Sequence, residues 1–137
     1  MKRIRQPLTL DYRLRIYTLF NEREQRNKTL FVLETNQSFS SFVYDISVKE
    51  RAEGNTIHWK VLGLKPPRLS MPASGRARFE REYDSLTGMY DVTIESIDGR
   101  ANTFAIRFAK EGAELVREPK EKFLEVTLEP SQHDSTL

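Results

Sequence analysis

The feature that most constrains this chain is alternation with a period of two residues. Leu8, Leu10, Tyr12, Leu14 and Ile16 alternate with Thr9, Asp11, Arg13, Arg15 and Tyr17. An extended segment with this pattern has one apolar face and one polar face, as a half-buried strand does. Leu10, Leu14 and Tyr17 also fit a helix, but three matches at helical spacing are fewer than five at period two. The pattern returns at Phe42, Tyr44, Ile46 and Val48, at Ile57, Trp59 and Val61, and at Ala77 and Phe79. It recurs at Tyr90, Val92 and Ile94, at Phe104, Ile106 and Phe108, and at Leu124, Val126 and Leu128. Leu115-Val116 adds a short strand. In Thr29 to Glu34 the unbroken run Leu30-Phe31-Val32-Leu33 predicts a strand covered on both faces.

Turn chemistry separates these runs. Asn21 to Lys28 is wholly polar, and Thr35 to Ser41 is rich in Ser, Asn and Gln; both read as connections. Glu53-Gly54-Asn55 between two alternating runs is a hairpin signal. Pro66, Pro67 and Pro72 make Gly63 to Gly75 a loop or a broken edge segment. Asp98-Gly99 and Glu111-Gly112 mark further turns, and Pro130 closes the last strand. Residues 1–7 and 131–137 read as frayed tails. About eight or nine short strands, with no amphipathic helix between them, predict an all-β antiparallel sandwich or barrel. At 137 residues the chain has the size of one domain, 1–137.

Tyr90 opens a strand two residues after Gly88, and Trp59, the single tryptophan, lies at the centre of another. The pair resembles the immunoglobulin-like sandwich, in which a tyrosine pins the corner before strand F and strand C carries a buried tryptophan. On that resemblance Phe42 to Lys49 is strand B, Thr56 to Leu62 strand C and Arg76 to Glu82 strand E. Tyr90 to Ser96 is then strand F and Thr103 to Phe108 strand G. Val92 stands where antibody-type domains have the second cysteine. The alternative is a lipocalin-like barrel, whose lumen the aromatic set Tyr12, Phe42, Tyr44, Trp59, Phe79, Tyr90, Phe104 and Phe108 would line. The proline-rich stretch interrupts the regular strand series that a barrel requires, so the sandwich is the primary expectation.

Candidate chemistry is sparse. The sequence has no cysteine, which excludes disulfides, thiolate metal sites and cysteine nucleophiles. His58 and His133 are far apart and lack metal-ligand spacing. There is no Gly-x-Ser-x-Gly elbow, and Gly63, Gly75, Gly88, Gly99 and Gly112 stand singly rather than in a phosphate-cradling loop. Glu80, Glu82, Asp91 and Glu95 alternate with apolar residues as solvent-facing acids do. A hydrolase with a carboxylate pair is therefore the least favoured reading. No catalytic, metal or cofactor residue is expected.

Charge is distributed unevenly. Residues 1–28 have eight Lys or Arg against three acids, a net +5, and the remainder is −3, for +2 overall. Arg13, Arg15 and Tyr17 share the outward face of the first strand, and Arg76 and Arg78 share another. Arginine beside tyrosine suits a protein contact, whereas the near-neutral total argues against nucleic acid. The expected function is a non-catalytic binding or assembly module acting through a sheet face or edge strand. Its contact is Arg13, Arg15 and Tyr17, and its partner another protein or a second copy in a homodimer. No apolar run approaches the roughly 18 residues of a membrane helix, and the N-terminus lacks a signal-peptide apolar region. A cytoplasmic protein, or an excised domain, is the expectation.

Overall fold

The computed structural model describes residues 11–40, 44–66, 75–84, 86–109, 112–129 and 132–134. Leu8, Leu10, Phe42 and most of the proline-rich loop lie outside them. Ten strands and no helix form the described chain: β1 (Tyr12–Asn21), β2 (Arg26–Phe39), β3 (Asp45–Glu53), β4 (Thr56–Lys65) and β5 (Gly75–Asp84). They are followed by β6 (Gly88–Glu95), β7 (Ala101–Ala109), β8 (Gly112–Arg117), β9 (Leu124–Leu128) and β10 (Gln132–Asp134).

All ten belong to one sheet, ordered β10-β1-β2-β5-β3-β4-β6-β7-β8, with β9 also on β1. Strands β9 and β10 follow one another along the edge of β1 away from β2, both parallel to it. Gln132–Asp134, in the segment expected to fray, thus pairs with Leu19–Asn21. At the far end β8 comes up against β1 and β9, so the sheet nearly closes into a barrel. Two seams interrupt the ring. Strands β5 and β3 share a single bridging pair, Asp45 with Arg78, and β8 meets β9 without a ladder.

This arrangement corrects the immunoglobulin-like expectation. In that fold strands B and C lie in opposite sheets. Here the corresponding β3 and β4 are ladder partners from Asp45–Lys65 to Glu53–Thr56. The cause is the turn: Gly54 has φ 55° while Asn55 keeps negative φ, the pattern of a two-residue type II′ hairpin. So short a connection holds both strands in one sheet. Strand β4 then pairs β6 in parallel, where a C–F pair would be antiparallel. Tyr90 packs its ring edge on Phe108, centroids 5.6 Å apart, on the inner side of the ring.

The inner face is solid. Trp59, Phe31, Phe104 and Phe123 are all fully buried, with Leu14, Ile16, Leu33, Ile57, Ile94 and Ile106 around them. Phe31 lies at the centre, 5.7 Å from Trp59, 5.1 Å from Tyr83 and 6.3 Å from Phe108. Large rings bury much apolar area each, and their edge-to-face geometry adds to it. Strand β2 is buried on both faces from Phe31 to Thr35, as expected. Phe31 and Leu33 join the core, and Val32 and Glu34 on the other face lie between the long side chains of Arg13 and Arg15 on β1 and of Arg78 and Glu80 on β5.

Candidate functional site

The face of β1 is the first place to look for a contact. Arg13, Arg15 and Tyr17 do share it, and the Arg15 guanidinium sits 5.9 Å from the Tyr17 ring centroid. Both arginines are held by the chain itself. Arg13 Nε donates to Glu34 Oε1 at 2.7 Å, and Arg15 Nε donates to Glu129 Oε2 at 2.6 Å with Glu34 a further 3.9 Å away. Glu34 stands opposite Arg13 in the β1–β2 ladder. Strand β1 is moreover no edge, being flanked by β2 on one side and β9 and β10 on the other. Of the second arginine pair, Arg78 forms an ion pair with Glu80.

A cleft of about 500 Å³ opens at one end of the ring. It forms where β2 breaks register with β5 between Glu34 and Ser38. Thr35 sits in that irregularity and replaces the lost ladder bond: its hydroxyl accepts the Ala77 N–H at 3.0 Å and donates to the Gln37 carbonyl at 2.8 Å. Asn36 and Gln37 are thereby turned to the cleft, whose other walls are Asp11 and Tyr12, Phe39, Leu64 and the β6–β7 turn. Bulges commonly re-aim side chains beside binding sites.

The β6–β7 turn is closely hydrogen-bonded. Ser96 Oγ donates to Asp98, the Arg100 N–H reaches Ser96 Oγ at 3.2 Å, and Gly99 turns at φ 92°. Arg100 then bridges Asp98 at 3.0 Å and Asp11 at 2.9 Å. The Ser96 hydroxyl, followed by the Arg100 guanidinium, holds the Asp98 carboxyl down at about 2. Burial, then the Asp11 charge, raises the Tyr12 phenol. This rigid polar frame presents Ile97 at its tip, 58% exposed, across from Leu64, 41% exposed. No family model matches the chain, and no curated protein or solved structure matches it significantly.

A second concavity, about 320 Å³, lies on the outer face of β3, β4 and β6. Its walls are Lys49, Glu50, Arg51, His58, Lys60 and Glu95. Glu95 Oε2 accepts from Lys60 Nζ at 2.9 Å, and His58 Nε2 lies 3.2 Å from Glu95 Oε1. The Lys60 ammonium pulls the Glu95 carboxyl below its ordinary value. His58 is half-buried and faces away from Trp59, as alternation predicts. Among the described residues no group of three or more His, Asp or Glu side chains is placed to hold a metal.

Sequence reasoning found neither concavity. Thr35–Gln37 read as loop chemistry, which hid a strand that continues through an irregularity. The outer cluster joins the β3–β4 hairpin to β6, whose parallel pairing with β4 no local pattern announces.

Proposed function

We propose that this chain is a non-catalytic binding module whose ligand seat is the cleft at the end of the barrel. The observation that supports this reading is the composition of that cleft. Apolar Phe39, Leu64 and Ile97 face a wall of Asn36, Gln37 and the Asp11–Arg100–Asp98 bridge. Ligand sites of a few hundred Å³ favour the mouths of barrels and combine apolar walls with a few fixed polar groups. The filled interior argues for the mouth rather than a lumen. One arginine against two aspartates suits an uncharged or weakly cationic ligand, with amide or hydroxyl groups to meet Asn36 and Gln37.

The non-catalytic part of the reading has its own support. Among the described residues the carboxyls displaced from their ordinary range, Glu24, Glu95 and Asp98, are displaced downward by cations or hydroxyl donors. A carboxylic acid that donates a proton near neutral pH needs the opposite displacement.

Amide shifts of the labelled protein, titrated with a library of uncharged fragments, test the proposal. Saturating shifts on Asn36, Gln37, Ile97 and Arg100 that vanish in Ile97→Asp are expected. Hits confined to the face of Arg13, Arg15 and Tyr17, or a dimer broken by charge reversal there, would instead favour the assembly reading.

A further inference from the structure

The outer face of β3 and β4 violates a rule that the rest of the sheet observes. In the β3–β4 ladder Lys49 stands directly opposite Lys60, and Arg51 directly opposite His58. Side chains so placed are about 5 Å apart at Cβ, and like charges in that position, here Lys49 and Lys60, destabilise a sheet. Elsewhere opposed positions are matched, as with Arg13 and Glu34, Arg107 and Glu114, or Lys60 and Glu95 across β4 and β6.

Glu95 relieves only half of the cluster. It holds Lys60 and His58, whereas among the described residues Lys49 and Arg51 have no carboxylate within ion-pair distance. Glu50, the other acid of the concavity, is held from the opposite side by Arg81 at 3.0 Å and by the Tyr83 hydroxyl. The acids of the next row, Glu53 and Asp91, flank Thr56 at the hairpin end, beyond Arg51 and His58. Two cations are left over in a concave site that also holds Lys60 and the His58 ring.

We infer that Lys49, Arg51, His58 and Lys60 form a seat for a phosphate group. A phosphate group has close to two negative charges near neutral pH and three acceptor oxygens. It therefore matches the two unbalanced cations, and its oxygens can accept from the donors that line the concavity. The Arg51 fork can engage two of those oxygens at once, and the lysines supply point charges. The site is independent of the cleft at the barrel end and does not rest on it.

The test uses the full chain and inorganic phosphate, titrated against sodium chloride at equal ionic strength while amide shifts are recorded. Saturating shifts at Lys49, Arg51, His58 and Lys60 are expected with phosphate and not with chloride. In Lys49→Gln/Arg51→Gln the apparent affinity falls by about tenfold or more, as loss of charge-assisted bonds implies. That variant is unchanged or gains in urea stability, because the opposed cations are gone; a loss of stability would mark the pair as structural and overturn the assignment. Equal response to chloride, or shifts spread over the whole surface, would also overturn it. A nucleoside monophosphate in the same titration identifies the source. Tighter binding on the same residues means that the phosphate arrives on a nucleotide, and equal binding means that the anion itself is the ligand.

Discussion

The indole N–H of Trp59 donates to the Tyr83 hydroxyl at 3.0 Å, and that hydroxyl donates in turn to Glu50. Trp59 is on β4, Tyr83 on β5 and Glu50 on β3, so three strands meet through one phenol. They meet beside the seam where β3 and β5 share a single bridging pair. Arg81 completes the group at 3.0 Å from Glu50, its guanidinium 5.3 Å from the Tyr83 ring centroid. Side chains here do what backbone ladders do elsewhere in the ring.

Removing the phenol oxygen therefore costs more than its size suggests. In Tyr83→Phe the ring still packs on Phe31, but the fully buried Trp59 N–H has lost its acceptor. A buried donor without a partner costs about 1–3 kcal/mol. The expected result is a lower urea midpoint with an unchanged slope, since the buried surface is the same. Glu50→Gln, which can still accept from Tyr83, should lose less.

The same contact sets an alkaline limit. Burial, then the Glu50 carboxylate, raises the Tyr83 phenol well above its ordinary 10.0. The folded chain thus keeps this proton after the unfolded chain has released it. The associated stability is complete below about pH 10 and is lost as pH rises above that value. Melting temperatures measured between pH 8 and 11 should fall more steeply for the native chain than for Tyr83→Phe.

At the other end of the pH scale Asp98 behaves oppositely. Ser96 and Arg100 hold its carboxyl at about 2, against an ordinary 3.8. Its contribution is present above pH 3.8 and is lost as pH falls from 3.8 towards 2. In Asp98→Asn the drop in melting temperature over that interval should be shallower, and the two proteins should converge near pH 2. The same substitution frees the Ile97 tip, so fragment binding in the end cleft should weaken at neutral pH as well.

Arg13 and Arg15 separate a structural role from a contact role. Each alone is a partly exposed ion pair, worth about 0.5 kcal/mol. Together they are the cations beside Glu34, whose side chain is only 9% exposed. Arg13→Gln/Arg15→Gln leaves that carboxylate desolvated and unmatched, so the double variant should lose about 2 kcal/mol, more than the two single losses added. Chemical denaturation of the three variants measures the excess. A double variant as stable as the native chain would return these arginines to the role of a free contact surface.

Much of the strand pattern was legible because alternation reports burial directly. Leu14, Ile16, Ile57, Trp59, Val61, Val92 and Ile94 all face inward as the period-two reading requires. The ring was legible only as the barrel alternative, because alternation states which way a side chain faces and not which strand lies beside it. The hairpin signal at Gly54-Asn55 and the strand B-to-C mapping were in conflict from the start, since a two-residue turn cannot carry a chain between sheets. Local turn chemistry was the better guide. The parallel pairs β1–β9 and β4–β6 join segments far apart in sequence, and no local pattern announces them. The partners of Arg13 and Arg15 were hidden for the same reason: Glu34 and Glu129 read as two acids among many until pairing set them beside β1.

Thr35 is where fold and proposed site meet. Its hydroxyl stands in for the ladder bond lost at the β2–β5 irregularity, accepting from Ala77 N–H and donating to Gln37 O. Thr35→Val keeps the shape and removes both bonds, leaving the buried Ala77 N–H without its acceptor, for a loss of about 1–3 kcal/mol. Thr35→Ser should retain most of the native stability, because the hydroxyl remains. The local signature is hydrogen exchange: the Ala77 amide should exchange much faster in Thr35→Val, while amides at the centre of β2 change only with global stability. With Gln37 released, the cleft wall loosens, and fragment affinity should fall in Thr35→Val but not in Thr35→Ser. If Ala77 exchange and fragment binding both stayed native in Thr35→Val, the irregularity would be shaping the cleft without help from the hydroxyl.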